Sequence, residues 1–209
     1  MPSRRLAFIC AALALALTAC IPPARLYLDQ YGTATPTPGG FKVCHGYGCH
    51  YVTTVHLSPA EFASVRQIFA AAAPDAAAER REIADAVVAM QRLVGLRNGT
   101  FRHQSRATFN LGDPTQLDCI DETVDTVTFL RLFQGAGWLR WHDIGVPATR
   151  GTLLTRDFEN TAVILERDTG AAFALDAQLA DAGEPPPIVP MSLWRSGWCP
   201  ATAAACGGS

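Results

Sequence analysis

The chain has 209 residues with a formal net charge of −2, and its charges are scattered. No basic stripe is present that could track a phosphate backbone, so nucleic acid is excluded as an expected partner. Seven cysteines in a chain of this size make the redox compartment the first question, and the N-terminus answers it.

Residues 1–20, MPSRRLAFICAALALALTAC, join two arginines to an apolar stretch too short for an ordinary membrane span. This is an export signal. Its ending, Leu17, Thr18, Ala19 and Cys20, resembles a lipobox, the site at which bacterial lipoproteins are cut before a cysteine that is then acylated. Residues 1–19 are therefore read as a signal peptide, and Cys20 as the lipidated first mature residue. The expected location is the bacterial cell envelope, anchored by that lipid in the outer membrane and facing the periplasm. Removing 19 residues from 209 leaves 190, enough for one ordinary core and too few for two.

Residues 20–40, rich in proline and glycine around TPTPGG, form a tether. A single domain is expected over 41–190. Within CHGYGCHYVTTVH, Cys44 and Cys49 are close enough to close a short disulfide loop in an oxidising compartment. That reading is preferred to haem attachment, which uses the tighter C-x-x-C-H spacing, and to zinc held by neighbouring histidines. No cofactor and no metal site is expected. His45, His50 and His56 are assigned to the surface or to half-buried strand positions. The period-two pattern of residues 51–57 predicts an extended segment.

Ser58, Pro59 and Glu61 spell the start of a helix, with a serine cap, proline at the first position and a glutamate closing a capping box. It is expected to run to about Ala73. Asp75 caps a second helix, whose apolar residues Ile83, Val87, Met90 and Val94 recur at spacings of four, three and four before Gly95 stops it. Residues 96–117 read as a long loop containing His103 and Gln116. Asp118 then caps a third helix with an apolar stripe of Ile120, Val124, Val127 and Leu130 that ends at the glycines of QGAG. Short apolar runs follow, of which TAVILERDTGAAFALD predicts a β-hairpin. The proline-rich GEPPPIVP segment is expected to wrap the surface, and 191–209 to form a disordered tail in which Cys199 and Cys206 pair.

These pairings leave Cys119 as a thiol in the first turn of the third helix. There the unpaired N–H groups and the helix dipole favour thiolate, whereas Asp118, Asp121 and Glu122 oppose it.

The order of three motifs, QLDCIDET at the helix start, GVPATRG at 145–151 and Asp176 in FALDAQ, resembles the transglutaminase-like (papain-like) superfamily of cysteine peptidases, amidases and acyl transferases. The resemblance covers roughly residues 111–180. It implies an α+β fold, with N-terminal helices and a helix opened by Cys119 packed on a small antiparallel sheet. It also implies a Cys-His-Asp triad in which Cys119 attacks an amide or ester carbonyl, a histidine relays protons and Asp176 orients the ring, with Gln116 near the oxyanion. Where the family would place the histidine, just before TAVILE, this chain has Glu159 and Asn160, and no histidine follows His142. His142 lies beyond a helix about 24 Å long at 1.5 Å per residue, which leaves His103 as the substitute base within reach. The reading favoured by the missing base is a degenerate domain that binds a peptide, protein or peptidoglycan ligand without turnover. Its alternative is an active cysteine hydrolase or acyl transferase acting on peptide or peptidoglycan amides.

Overall fold

A computed structural model describes residues 36–105, 110–151 and 159–200. The expected signal peptide, Cys20 and Cys206 lie outside the described residues. The architecture is α+β. Strands β1 (Phe41–His45) and β2 (Tyr51–Val55) form an antiparallel hairpin in which Val43 faces Thr53 and Cys44 faces Val52. Cys44 and Cys49 are disulfide-bonded across the connection, with Cα atoms 4.5 Å apart. His45 departs from its assignment to the surface or a half-buried strand position. It is buried, and its two ring nitrogens contact the Pro114 carbonyl and the Thr53 hydroxyl, both at 2.9 Å. His50 and His56 are exposed.

Helix α1 (Pro59–Arg66) starts with the full capping box: Ser58 accepts from the Glu61 N–H while the Glu61 carboxylate accepts from the Ser58 N–H. It is shorter than predicted, because the chain tightens into a 3₁₀ turn over Gln67–Phe69. Helix α2 (Ala76–Asn98) is capped by Asp75, as the sequence predicts, but continues through Gly95 to Asn98. The stop comes at Gly99, whose φ of 88° is the left-handed conformation that a C-terminal cap needs and that side chains disfavour. A glycine inside a helix costs only about 1 kcal/mol, so Gly95 alone cannot end it against good packing.

Helix α3 (Cys119–Gly135) is the centre of the molecule. Asp118 caps it and Asp121 completes the box. Thirteen of its 17 residues are buried, so the single apolar stripe understates its burial. It packs on the β1–β2 hairpin on one side and on the main sheet on the other. That sheet consists of β3 (His142–Ile144), β4 (Ala148–Arg150), β5 (Glu159–Glu166), β6 (Ala172–Leu175) and β7 (Ile188–Pro190). The predicted hairpin is β5–β6, with Ala162 opposite Leu175. Strands β3 and β4 share the other edge of β5, β4 against its first residues and β3 against its last. Gly145 lies between them because a Cβ there would come within 2.7 Å of Val163 on β5.

The C-terminal segment is more structured than its composition predicts. Pro190 ends β7 on the sheet edge, opposite Phe173, where a missing N–H is tolerated. Helix α4 (Met191–Arg195) then carries Trp194, which is fully buried. Burying an indole outweighs the surface bias of prolines when the sheet offers an apolar face, here Val163 and Ala174. The expected tail therefore begins no earlier than the end of α4 among the described residues.

Candidate functional site

Cys119 occupies the first position of α3 and is 8% exposed. Of the two residues that could stand in the histidine position, Asn160 is the one at the sulfur: its Nδ2 donates to Sγ at 3.4 Å. The other end of that amide is fixed, because Oδ1 accepts from the Thr149 hydroxyl of β4 at 2.8 Å. This arrangement follows from the register. Thr149 pairs with Asn160 across β4 and β5, and the Asn160 side chain points from β5 toward the start of α3. An amide in this position donates to the sulfur but has no basic nitrogen with which to take its proton.

Burial pushes the Cys119 thiol up to about 12, with the Asp118 carboxylate adding to burial and the Asn160 contacts pulling only weakly the other way. This runs against its place at the helix N-terminus, where the dipole favours thiolate. The dipole acts within about one turn and is worth a kcal/mol or less, whereas burying a thiolate away from water costs several.

Asp176, at the end of β6, is close enough to the sulfur that its charge disfavours the thiolate. Its carboxylate accepts from the indole N–H of Trp194 at 2.6 Å. Burial, reinforced by Glu159 and Glu122, raises its pKa to about 7 despite that indole. Glu159 turns away from the thiol and pairs with the guanidinium of Arg150, directly across the β4–β5 pair. Arg150 also donates to the Trp194 carbonyl and stacks over its ring, 4.5 Å from the centroid. Asn160 thus bonds the Cys119 sulfur, and the Asp176 carboxyl is near enough for its charge to act on it. Glu159 forms a second layer behind them with Arg150 and Trp194.

Two other predicted residues lie elsewhere. Gln116 spans the preceding loop, its Oε1 accepting from the Gln104 N–H at 3.3 Å and its Nε2 donating to the Arg102 carbonyl at 3.4 Å. His103 is 4% exposed and faces Glu122, with Nε2 3.1 Å from Oε1. Its Nδ1 accepts from the Leu117 N–H at 3.3 Å, which puts the ring proton of the neutral form on Nε2. Burial opposes charging of this ring, yet Glu122, helped by Gln116 and Asp181, outweighs it and holds the pKa above its ordinary value. Both ring nitrogens of His103 thus face groups other than Cys119, Nε2 toward Glu122 and Nδ1 toward the Leu117 N–H. His142 is also spoken for: it contacts the Glu79 carboxylate at 2.8 Å. It pairs across the sheet with Glu166, six residues along β5 from Asn160, or about 20 Å at roughly 3.3 Å per residue.

Asp121 accepts backbone N–H groups from Tyr47 at 2.8 Å and Cys49 at 2.6 Å, and Asp125 accepts that of Cys44 at 2.7 Å. These two carboxylates bind the disulfide loop onto α3, at a place where Tyr47 and Cys49 adopt positive φ. The Cys44 and Cys49 sulfurs bond each other, so their proximity to Asp121 does not make a thiolate metal centre. Cys199 is disulfide-bonded, while its predicted partner Cys206 lies outside the described residues.

Sequence reasoning missed Arg150, Thr149 and Trp194, whose roles depend on strand register, and the inward face of Glu122 and Asp125. The last could have been found: Asp118, Asp121, Glu122 and Asp125 recur at helical spacing on a helix otherwise apolar on several sides. Compared with known protein families, curated proteins and solved structures, the chain finds no match in any of the three.

Proposed function

We propose that the chain is an envelope lipoprotein whose degenerate transglutaminase-like domain binds a peptide, protein or cell-wall partner without turning it over. The observation that carries this reading is the Asn160 amide at the Cys119 sulfur. Nucleophilic thiol catalysis needs a group that takes the thiol proton and returns it to the leaving amine. Asn160 can do neither, and burial keeps the thiol protonated across the physiological range. Asp176, the residue that would orient an imidazole, is held by the Trp194 indole instead. The lipobox and the export signal carry the envelope location.

The test uses purified peptidoglycan sacculi incubated with the protein and with Cys119→Ala, reading co-sedimentation and, by mass spectrometry, any released peptide. Equal retention of both proteins with no release is the expected result. Release that requires Cys119 would overturn the reading in favour of an active cysteine hydrolase or acyl transferase. Neither retention nor release would remove the cell wall as the partner.

A further inference from the structure

A cavity of about 290 Å³ lies one helical turn along α3 from Cys119, and neither Cys119, Asn160 nor Asp176 is on its wall. Four segments enclose it: the end of α2, the 100–103 loop, the inward face of α3, and residues 180–184. Hydrogen bonds lock the last of these in place. The Ala182 N–H donates to the His103 carbonyl at 3.3 Å, and the Arg92 guanidinium donates to the Gly183 carbonyl at 2.9 Å.

The interior combines an apolar lining, Val94, Phe101, Leu117 and Phe129, with a polar floor of His103, Glu122 and Asp125. On that floor both carboxylate oxygens of Glu122, and Nε2 of His103, have no well-formed hydrogen bond among the described residues. Nε2 and Oε1 are near enough to attract but poorly aligned, and Oε2 has no donor among the described residues. A buried carboxylate left this way is destabilising, more so when charged, unless something supplies the donors.

We propose that this cavity is a binding site for a small organic cation, a primary ammonium group on an aliphatic stem, with the ammonium on Glu122. Three features select that class. The acidic side chains Glu122 and Asp125 on the floor and Asp181 and Glu184 at the mouth outnumber His103 and Arg92, and Arg92 is engaged by Gly183. An ammonium brings three donors, enough for Oε2 and Oε1 of Glu122 together, whereas a hydroxyl brings one. The volume, at roughly 30 Å³ per small group, takes on the order of ten non-hydrogen atoms, so an aliphatic stem can lie along Phe101, Leu117 and Phe129.

A bare metal ion fits less well. No set of three ligand atoms drawn from His103, Glu122 and Asp125 converges within 4.8 Å among the described residues. This inference does not depend on how Cys119 is read, because the floor and lining would bind the same cation in an active or an inactive protein.

Isothermal titration calorimetry of the purified protein with n-pentylamine, and with 1-pentanol as the uncharged match, decides it. The expected result is one site for the amine, at least tenfold tighter than the alcohol. Glu122→Gln, which keeps shape and removes the charge, is expected to weaken the amine at least tenfold and leave the alcohol within threefold. Ala182→Trp, at an exposed mouth position, is expected to block both ligands, and it serves as the deciding variant should Glu122→Gln fail to fold. Equal affinity for amine and alcohol, undiminished amine binding in either folded variant, or no heat of binding with amine up to tens of millimolar would each overturn the assignment.

Discussion

Replacing Asn160 by histidine places an imidazole beside Cys119, and the structure sets the size of the effect. With the thiol at about 12, about one molecule in ten thousand is thiolate at pH 8, against about one in ten for a thiol at 9.0. The ratio of a thousand corresponds to three pKa units, or about 4 kcal/mol at 1.36 kcal/mol per unit. An imidazolium in hydrogen-bond reach of sulfur is the strongest ordinary means of lowering a thiol pKa. Asn160→His is expected to recover at least two of the three units, because its ring would start from a Cβ that already aims its side chain at Sγ. The assay is iodoacetamide alkylation of Cys119 between pH 6 and 10, followed by intact mass, with the urea-unfolded protein as the reference thiol. At pH 8 the native protein should react about a thousandfold more slowly than the unfolded one, or slower still because only 8% of the residue is exposed, and Asn160→His about a hundredfold faster than wild type. A wild-type rate within tenfold of the unfolded thiol at pH 7–8, or an Asn160→His profile superimposable on wild type, would refute the argument.

Folding stability should fall as pH rises from 5 to 8. Burial lifts the folded pKa of Asp121 to about 8 and of Asp176 to about 7, with Asp125 also moved up, so the fold holds protons that the unfolded chain releases above about pH 4. Each such group removes up to about 1.4 kcal/mol per pH unit until its folded pKa is passed; His103, raised, acts in the same direction, while His45, lowered by burial, opposes below pH 6.5. A urea midpoint higher at pH 8 than at pH 5 would contradict this. Trp194→Phe removes the donor to Asp176 while keeping most of the packing, and should cost about 1–3 kcal/mol in urea unfolding. Replacing both Cys44 and Cys49 by serine opens a loop of sequence separation 5 and should cost about 2 kcal/mol on loop entropy, read as a lower thermal midpoint. Cys20→Ser should move the protein from the membrane fraction to the soluble fraction of fractionated cells; an unchanged distribution would reject the lipid anchor.

Local signals in the sequence were sufficient for the helix starts. Ser58, Asp75 and Asp118 each cap a helix because a short polar side chain beside free N–H groups needs no tertiary context. The β5–β6 hairpin was legible for the same reason, since alternation and its RDTG turn are both local. What stayed hidden required the third dimension. His45 and Trp194 are buried by surfaces contributed from elsewhere in the chain, the Pro114 carbonyl and the face of the sheet. The choice between Glu159 and Asn160 rested on a single step of register. Neighbouring strand residues face opposite sides, so only the pairing of Thr149 with Asn160 decides which one meets the helix. The burial of His103 was hidden in the same way, because nothing local announces that Glu122, nineteen positions later, faces inward.

On the proposed kinship, the polar layer along α3 explains how a site of this kind could lack a base and keep its fold. Catalytic residues in a buried cleft are expensive to hold, because unpaired polar groups there each cost 1–3 kcal/mol. Here the groups around Cys119 have found permanent partners: the Asn160 amide bridges Thr149 and the sulfur, the Trp194 indole caps Asp176, and Arg150 neutralises Glu159. An imidazole waiting to exchange protons would leave one nitrogen without a lasting partner, whereas an amide with fixed orientation satisfies both its ends. On the proposed kinship, substitution of histidine by asparagine therefore trades reactivity for a closed hydrogen-bond network. Among the described residues, the buried polar atoms without a well-formed partner include both carboxylate oxygens of Glu122, one turn further along the same helix, and Nε2 of His103 facing them, which is where a ligand has much to gain by binding.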